Sequence, residues 1–274
     1  MTSVEPLYIV TLFLTGAFTG VISGLLGVGG GGFIMFPVQY WLLQENGLHP
    51  DIAIRIALGT SLFVILLNSI SVTLKYQRKK AVLWRQATLM GIFGSVASFG
   101  GGSAVASYLP ASVLSTTFGI VVIIGAVRTY KTPAAKETEE ISTRKLSYIF
   151  AGILIGFFSG LLGIGGGVIG IPPIMLIFLH FDMLKAVGTS AAVIMFTSFG
   201  GSLGYIIHGW GQPGLPPYSL GYINLLNWVL LAIPGFFAAR KGADIAHIVN
   251  PEYLKHLFVL LMVYVGGLEM IGIL

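Results

Sequence analysis

The sequence predicts an all-α integral membrane protein of two inverted-topology repeats, each of about five apolar segments, with a glycine-rich broken helix or hairpin at mid-membrane. Three observations predict it. Hydrophobic residues make up 55% of the chain and charged residues 9%, whereas an ordinary soluble domain carries about 25% charged residues, so lipid must cover most of the surface. A glycine-rich phrase is written twice, GVISGLLGVGGG at Gly20–Gly31 and GFFSGLLGIGGG at Gly156–Gly167, 136 residues apart without a gap. Lys and Arg are confined to a few short loops, the positive-inside distribution rather than a basic nucleic-acid groove, despite a formal net charge of +5. The apolar runs are long and lack period-two polarity, which excludes a membrane β-barrel. There is no cysteine, so disulfides and thiolate chemistry are excluded too. Residues 1–54 hold no Lys or Arg, so the basic start of a signal peptide is missing and the first apolar stretch reads as a retained helix.

In chain order, Leu7 to Leu26 is long enough to span at 1.5 Å per residue. Gly16, Gly20 and Gly24 recur every four residues in it and read first as a smooth packing stripe. Phe33 to Leu43, with Pro37 inside, is too short to span and reads as a half-helix or one arm of a broken hairpin. Ile52 to Tyr76 carries Ala57-Leu58-Gly59-Thr60-Ser61 and ends in the basic cluster Lys75–Lys80, followed by Arg85. Trp84 to Tyr108 and Ala111 to Arg128 complete the first half. The only hydrophilic stretch of any length then separates repeats 1–130 and 146–274 as a linker over 131–145. The second half repeats the order: Leu146 to Leu162, Val168 to His180 with Pro172 and Pro173, Met183 to His208, Leu220 to Ala239, and Tyr253 to Leu274. Its Ala186-Val187-Gly188-Thr189-Ser190 matches Ala57–Ser61 at an offset of 129, which also aligns Tyr205 with Tyr76 and Ser198 with Ser69.

An odd number of segments per half sends the second half into the membrane from the opposite side. Threading from an outside N-terminus puts Lys75–Arg85, the linker and Arg240–Lys241 in the cytoplasm, and the Lys-free loop His208–Ser219 outside. Both termini are then expected on the outer face of a cell inner membrane. Inverted repeats whose interrupted helices meet at mid-membrane are the architecture of secondary transporters.

The interior offers little reactive chemistry. No Asp or Glu lies deep in a span, with Glu269 in the last turns, and the histidines lie near segment ends. No metal site, cofactor or catalytic set is expected, an intramembrane enzyme is disfavoured, and no carboxylate is expected to carry a proton. What remains is neutral. Backbone N–H groups of Gly29, Gly30, Gly31 and Gly165, Gly166, Gly167, with the hydroxyls of Thr60, Ser61, Thr189 and Ser190, could cradle an oxyanion. The competing account is that the glycines only allow close packing and the hydroxyls bond their own helices. Ser23, Ser159, Asn68, Tyr76 and Tyr205 are accessory candidates. So are Arg55 and Lys185, which precede each Gly-Thr-Ser and could attract anions, although snorkelling to the interface is the favoured reading.

The doubled G-x-x-S-G-L-L-G-[VI]-G-G-G, the proline that follows each copy and the paired A-x-G-T-S resemble the sulfite exporter TauE/SafE family, also called the toluenesulfonate uptake permease group, over essentially the whole chain. The resemblance implies an inner-membrane transporter of a sulfur oxyanion: sulfite, a sulfonate such as sulfoacetate, or thiosulfate. Two departures stand out: Gly32 extends the first glycine run where the second has Val168, and Lys185 aligns with Ile56. The expected partners are that anion and the bilayer, with a second copy of the chain as an open alternative and no nucleic acid. A membrane assembly subunit without transport and a permease for another small ion are the rival readings.

Overall fold

The structure is a computed structural model and describes residues 6–26, 31–131, 145–166, 183–245 and 251–271. The apolar piece expected from Val168 to His180, the greater part of the linker, and Gly29, Gly30 and Gly167 lie outside them.

Helix α1 (Pro6–Leu26) opens on a proline, which costs no intrahelical donor at a first position, and stops at the glycine run. Helix α2 (Gly32–Glu45) is the expected short arm and carries Pro37 inside it. It folds back beside α1, where Gly31 N–H donates to Ser23 Oγ at 3.3 Å. Helix α3 (Pro50–Arg78) begins with Pro50 and Asp51 and ends with Lys75 and Arg78, charges that complement the helix dipole at both ends. The next segment is helical from Trp84 to Tyr108 but not uniformly so: α4 (Trp84–Ala97) passes through a π-helical turn, Ser98–Ser103, into α5 (Ala104–Tyr108). The turn's sequence, SFGGGS, has little side-chain packing to hold regular α geometry. Helix α6 (Ala111–Lys131) ends the first half; Asp51 Oδ1 accepts from Ala111 N–H at 2.7 Å and so ties its start to the start of α3.

In the second half come α7 (Lys145–Leu162), α8 (Met183–His208), α9 (Leu225–Ile245) and α10 (Pro251–Ile271). The helix expected from Leu220 begins later. Strands β1 (Ser219–Leu220) and β2 (Ile223–Asn224) form a two-residue antiparallel hairpin, turned at Gly221 with φ +57°. Asn224 Oδ1 then accepts from Asn227 N–H at 3.0 Å, capping α9. Apolar residues on a covered hairpin look like the start of a helix when only hydrophobicity is read.

Among the described residues, six stretches are long and apolar enough to cross a membrane: 6–25, 50–78, 84–108, 111–131, 145–162 and 185–208. With its sparse charge, this is a multi-pass helical membrane protein.

The two halves exchange helices. Each packs its first helix on the fourth segment of the other, α1 on α9 and α7 on α4. The registers match: Gly16, Gly20 and Gly24 face Leu231, Gly235 and Ala239, while Gly152, Gly156 and Gly160 face Met90, Gly94 and Ser98. A methyl group on Gly20 would overlap the Gly235 backbone, and one on Gly156 the Gly94 backbone. The packing stripe read from the sequence is therefore real, and it is used twice. Ascending residue pairs make each of these couples parallel. The α3–α8 pair at the centre runs antiparallel, Gly59 facing Tyr205 and Gly188 facing Tyr76. Helices α1, α3, α6 and α9 thus share one direction, and α4, α7, α8 and α10 the other. Basic residues ending α3, α6 and α9 and beginning α4, α7 and α8 gather at one end of the bundle.

Candidate functional site

The Ala-x-Gly-Thr-Ser copies lie near the starts of α3 and α8 and are fully buried. Each threonine holds the start of a helix from the other half. Thr60 Oγ1 accepts from Asn224 N–H at 3.0 Å, and Thr189 Oγ1 from Leu83 N–H at 3.1 Å. The adjacent glycine lets that incoming backbone approach: a Cβ on Gly59 would stand 2.7 Å from the Tyr222 carbonyl oxygen, and one on Gly188 2.5 Å from that of Ala81. Tyr205 and Tyr76 complete each copy, their carbonyls accepting from Tyr222 and Ala81 N–H at 3.1 Å. The motif is a clasp between halves, which its spacing alone did not reveal.

Clasping does not exhaust the hydroxyls. Thr60 and Thr189 accept in these bonds, and Ser61 Oγ accepts from Gln39 Nε2 on α2 at 2.8 Å, so each keeps its own proton to donate. Ser190 differs, donating to its helix carbonyl at Val187 at 2.8 Å.

The glycine phrases end at the middle of the bundle and meet there. A Cβ on Gly32 would stand 2.7 Å from Ile65 Cδ1 and 3.0 Å from Ile164 Cα. A Cβ on Gly165 would stand 2.7 Å from Ile65 Cγ2. Ile65, half-way along α3, is thus wedged between the two phrases. Gly163, Gly165 and Gly166 take φ of +66°, +72° and +79°, left-handed values that favour glycine. Ser198 Oγ lies 3.3 Å from where a Gly165 Cβ would be, and Ser159 Cβ 3.6 Å from where a Gly166 Cβ would be. Both serines are fully buried, and among the described residues neither hydroxyl has a hydrogen-bond partner. Next to them Thr197 Oγ1 donates to Gly165 O at 3.4 Å.

Other candidates sit around this centre. Asn68 is buried on α3 against Gly235, with both amide atoms unpartnered among the described residues. Tyr205 is fully buried and its hydroxyl donates to Gly160 O at 3.0 Å. Tyr76 is buried and Lys185 half-buried. Arg55 does not snorkel freely: Nη2 donates to Leu109 O at 3.3 Å and the guanidinium lies 5.9 Å from the Tyr222 ring centre. The α5–α6 loop and the β-hairpin close over it.

Three residues escaped the sequence reading. Ser198 was legible as the partner of Ser69 at the repeat offset, but nothing marked its hydroxyl as unused. Gln39 looked like one polar residue on a short arm. Glu269, expected in a helix's last turns without a role, is 1% exposed, because α10 packs that end onto α6 and α2.

The centre around the glycine turn is therefore lined by neutral polar groups, and no cluster of three or more His, Asp or Glu suited to a metal occurs among the described residues. A family profile described as sulfite exporter TauE/SafE matches residues 12–268. The chain belongs to this family. TauE/SafE proteins are membrane transporters, and relatives of this member carry that description in general form. It is 30% identical to a probable membrane transporter protein of Methanocaldococcus jannaschii, over 89% of this chain and 88% of the relative. It is 28% identical to a probable membrane transporter protein of Haemophilus influenzae, over 94% and 97%, and 28% identical to the probable membrane transporter protein YunE of Bacillus subtilis, over 94% and 95%. No solved structure matches this TauE/SafE chain.

Proposed function

We propose that this protein is a secondary transporter moving a small sulfur-containing oxyanion (sulfite, an organosulfonate such as sulfoacetate, or thiosulfate) across the inner membrane by alternating access around a neutral central site. The observation that carries the reading is the convergence of Gly32, Ile164 and Gly165 around Ile65, beside Ser159 and Ser198, which are unpartnered among the described residues. Irregular backbone at membrane depth is tolerated where it is buried in protein or lines a wet cavity. Hydroxyl donors beside it supply what an oxyanion requires. Neutral donors also suit a carrier, since a buried lysine or arginine would hold an anion too tightly to release it. The Gly165 and Gly166 N–H groups and Ser61, one turn before Ile65 on α3, complete the proposed site, whereas Thr60 and Thr189 hold clasps at opposite ends of the α3–α8 contact, about 24 Å apart at 1.5 Å per residue, too far to share one small anion.

The reading treats 1–130 and 146–274 as inverted repeats. Matched glycine registers in α1–α9 and α7–α4, running in opposite senses, support that. Alternating access then rocks helices of one half against the other around Ile65. It also assigns the basic end of the bundle, and the linker with it, to the cytoplasm and the termini to the outer face, which the gathering of Lys and Arg supports.

Counterflow in liposomes tests this. Purified protein should exchange labelled sulfite, sulfoacetate or thiosulfate faster than protein-free vesicles do, and chloride should not compete. If none of the three moves, the substrate class is wrong. Exchange of a monovalent cation instead would replace it with a cation permease.

A further inference from the structure

Glu269 is an enclosed acid to which no described residue gives a cation. It is 1% exposed, and among the described residues neither carboxylate oxygen accepts a well-formed hydrogen bond or ion pair. The groups facing it are few. From α6 comes the Ser115 hydroxyl, within its electrostatic reach, while the cations of that helix, Arg128 and Lys131, lie at the far end. From α2 comes the Tyr40 phenol, with Glu45 further outward and Asp51, at the head of α3, also within reach of that phenol. Asp51 is spent on the start of α6, and Arg55, the basic residue nearest that end of α3, is held by Leu109 and Tyr222. An ionised carboxylate buried without a counter-charge is unfavourable, and binding a proton relieves it.

The position of Glu269 gives such a proton somewhere to act. Tyr40 stacks on Phe36 at 5.8 Å between ring centres, and its neighbour Gln39 donates to Ser61 of the clasp. The same short helix starts at Gly32, against the second glycine phrase. One side of α2 therefore meets the acid and the other meets the central site. We infer that Glu269 is a proton-binding site of this protein, whose protonation is coupled to anion movement through α2. Ser115 lies about one turn into α6, at 1.5 Å per residue, so a proton has a short path from that end of the bundle. Loss of the proton leaves a bare charge between α2, α6 and α10, which opposes their packing; its return lets them close. The coupling rests on the transport reading above, but the proton site itself does not.

Two measurements separate them. A hydrophobic carbodiimide, which modifies protonated carboxyls, should label Glu269 in the purified full-length wild type near neutral pH, as read by mass spectrometry. Labelling should fall as pH rises. In liposomes, an imposed proton gradient should drive accumulation of ethanesulfonate, whose own charge is constant over the range used. E269Q, checked for monodisperse elution, should keep ethanesulfonate counterflow and lose the response to the gradient. Labelled Glu269 in a protein that moves no ethanesulfonate would sustain the proton site and count against the sulfonate reading. No labelling at any pH, or E269Q with the full gradient response, overturns the proton site.

Discussion

The two glycine phrases share a sequence and a framework, yet their ends differ. In the first, Ser23 Oγ accepts from Gly31 N–H and Ser69 Oγ donates to Leu66 O, so both serines have a partner within the chain. In the second, the equivalent Ser159 and Ser198 hydroxyls are buried and unpartnered among the described residues, which do not include Gly167, the counterpart of Gly31. Buried polar groups are seldom left unpaired without reason. Under the proposed function, repetition builds the scaffold and the departure from it, an unspent Ser198 where Ser69 is spent, is where the anion is held.

The scaffold side of this comparison breaks most violently. Gly20→Leu and Gly156→Leu each force a side chain into the backbone of a partner helix, and overpacking a tight core costs about 1–3 kcal/mol or more. Both variants should lose monodisperse protein in detergent to a similar extent; one tolerant variant would show that the registers are not equivalent. Next come Thr60→Val and Thr189→Val. Each orphans one helix-start N–H, worth about 1–2 kcal/mol in a membrane interior. Thermal melts should fall by similar amounts in the two, because the bonds are of similar length, 3.0 and 3.1 Å.

Much of this was legible beforehand. Composition dictated the solvent, and the spacing of Gly16, Gly20 and Gly24 dictated a close crossing. Pro37 and the length of Phe33–Leu43 dictated a short arm. The rest depended on who packs against whom. That Thr60 serves Asn224 involves residues 164 apart, and no local pattern encodes it. Nor could spacing say that the clasp threonines would be acceptors, or that the end of α10 would fold inward and bury Glu269. The hairpin at Ser219–Asn224 was misread because its apolar residues are covered, as a helix's would be. Charge counting anticipated that the basic helix ends gather at one end of the bundle; only packing found which hydroxyls were spent.

On the ligand side the comparison sharpens. Ser198→Ala should weaken sulfonate or sulfite binding about tenfold, or about 1.4 kcal/mol, because one of the free donors is lost. Ser69→Ala, its repeat partner, should leave affinity unchanged. Competition binding on the two variants reads this directly. Equal losses would mean that both phrases hold ligand alike, and the asymmetry argued from the unpartnered hydroxyls would fall.

The smallest effect is also the most diagnostic, because its sign differs between the copies. Ser23→Ala removes the acceptor of Gly31 N–H and should lower stability by about 1 kcal/mol. Ser159→Ala removes a buried hydroxyl that makes no bond to the described protein, and taking such a group out of an apolar site should be neutral or slightly stabilising. Thermal shift on the ligand-free variants tests stability. Adding sulfite should then widen the gap the other way, with Ser23→Ala stabilised as wild type is and Ser159→Ala stabilised less. That crossing of the two series would separate a hydroxyl that holds the scaffold from one that waits for an anion.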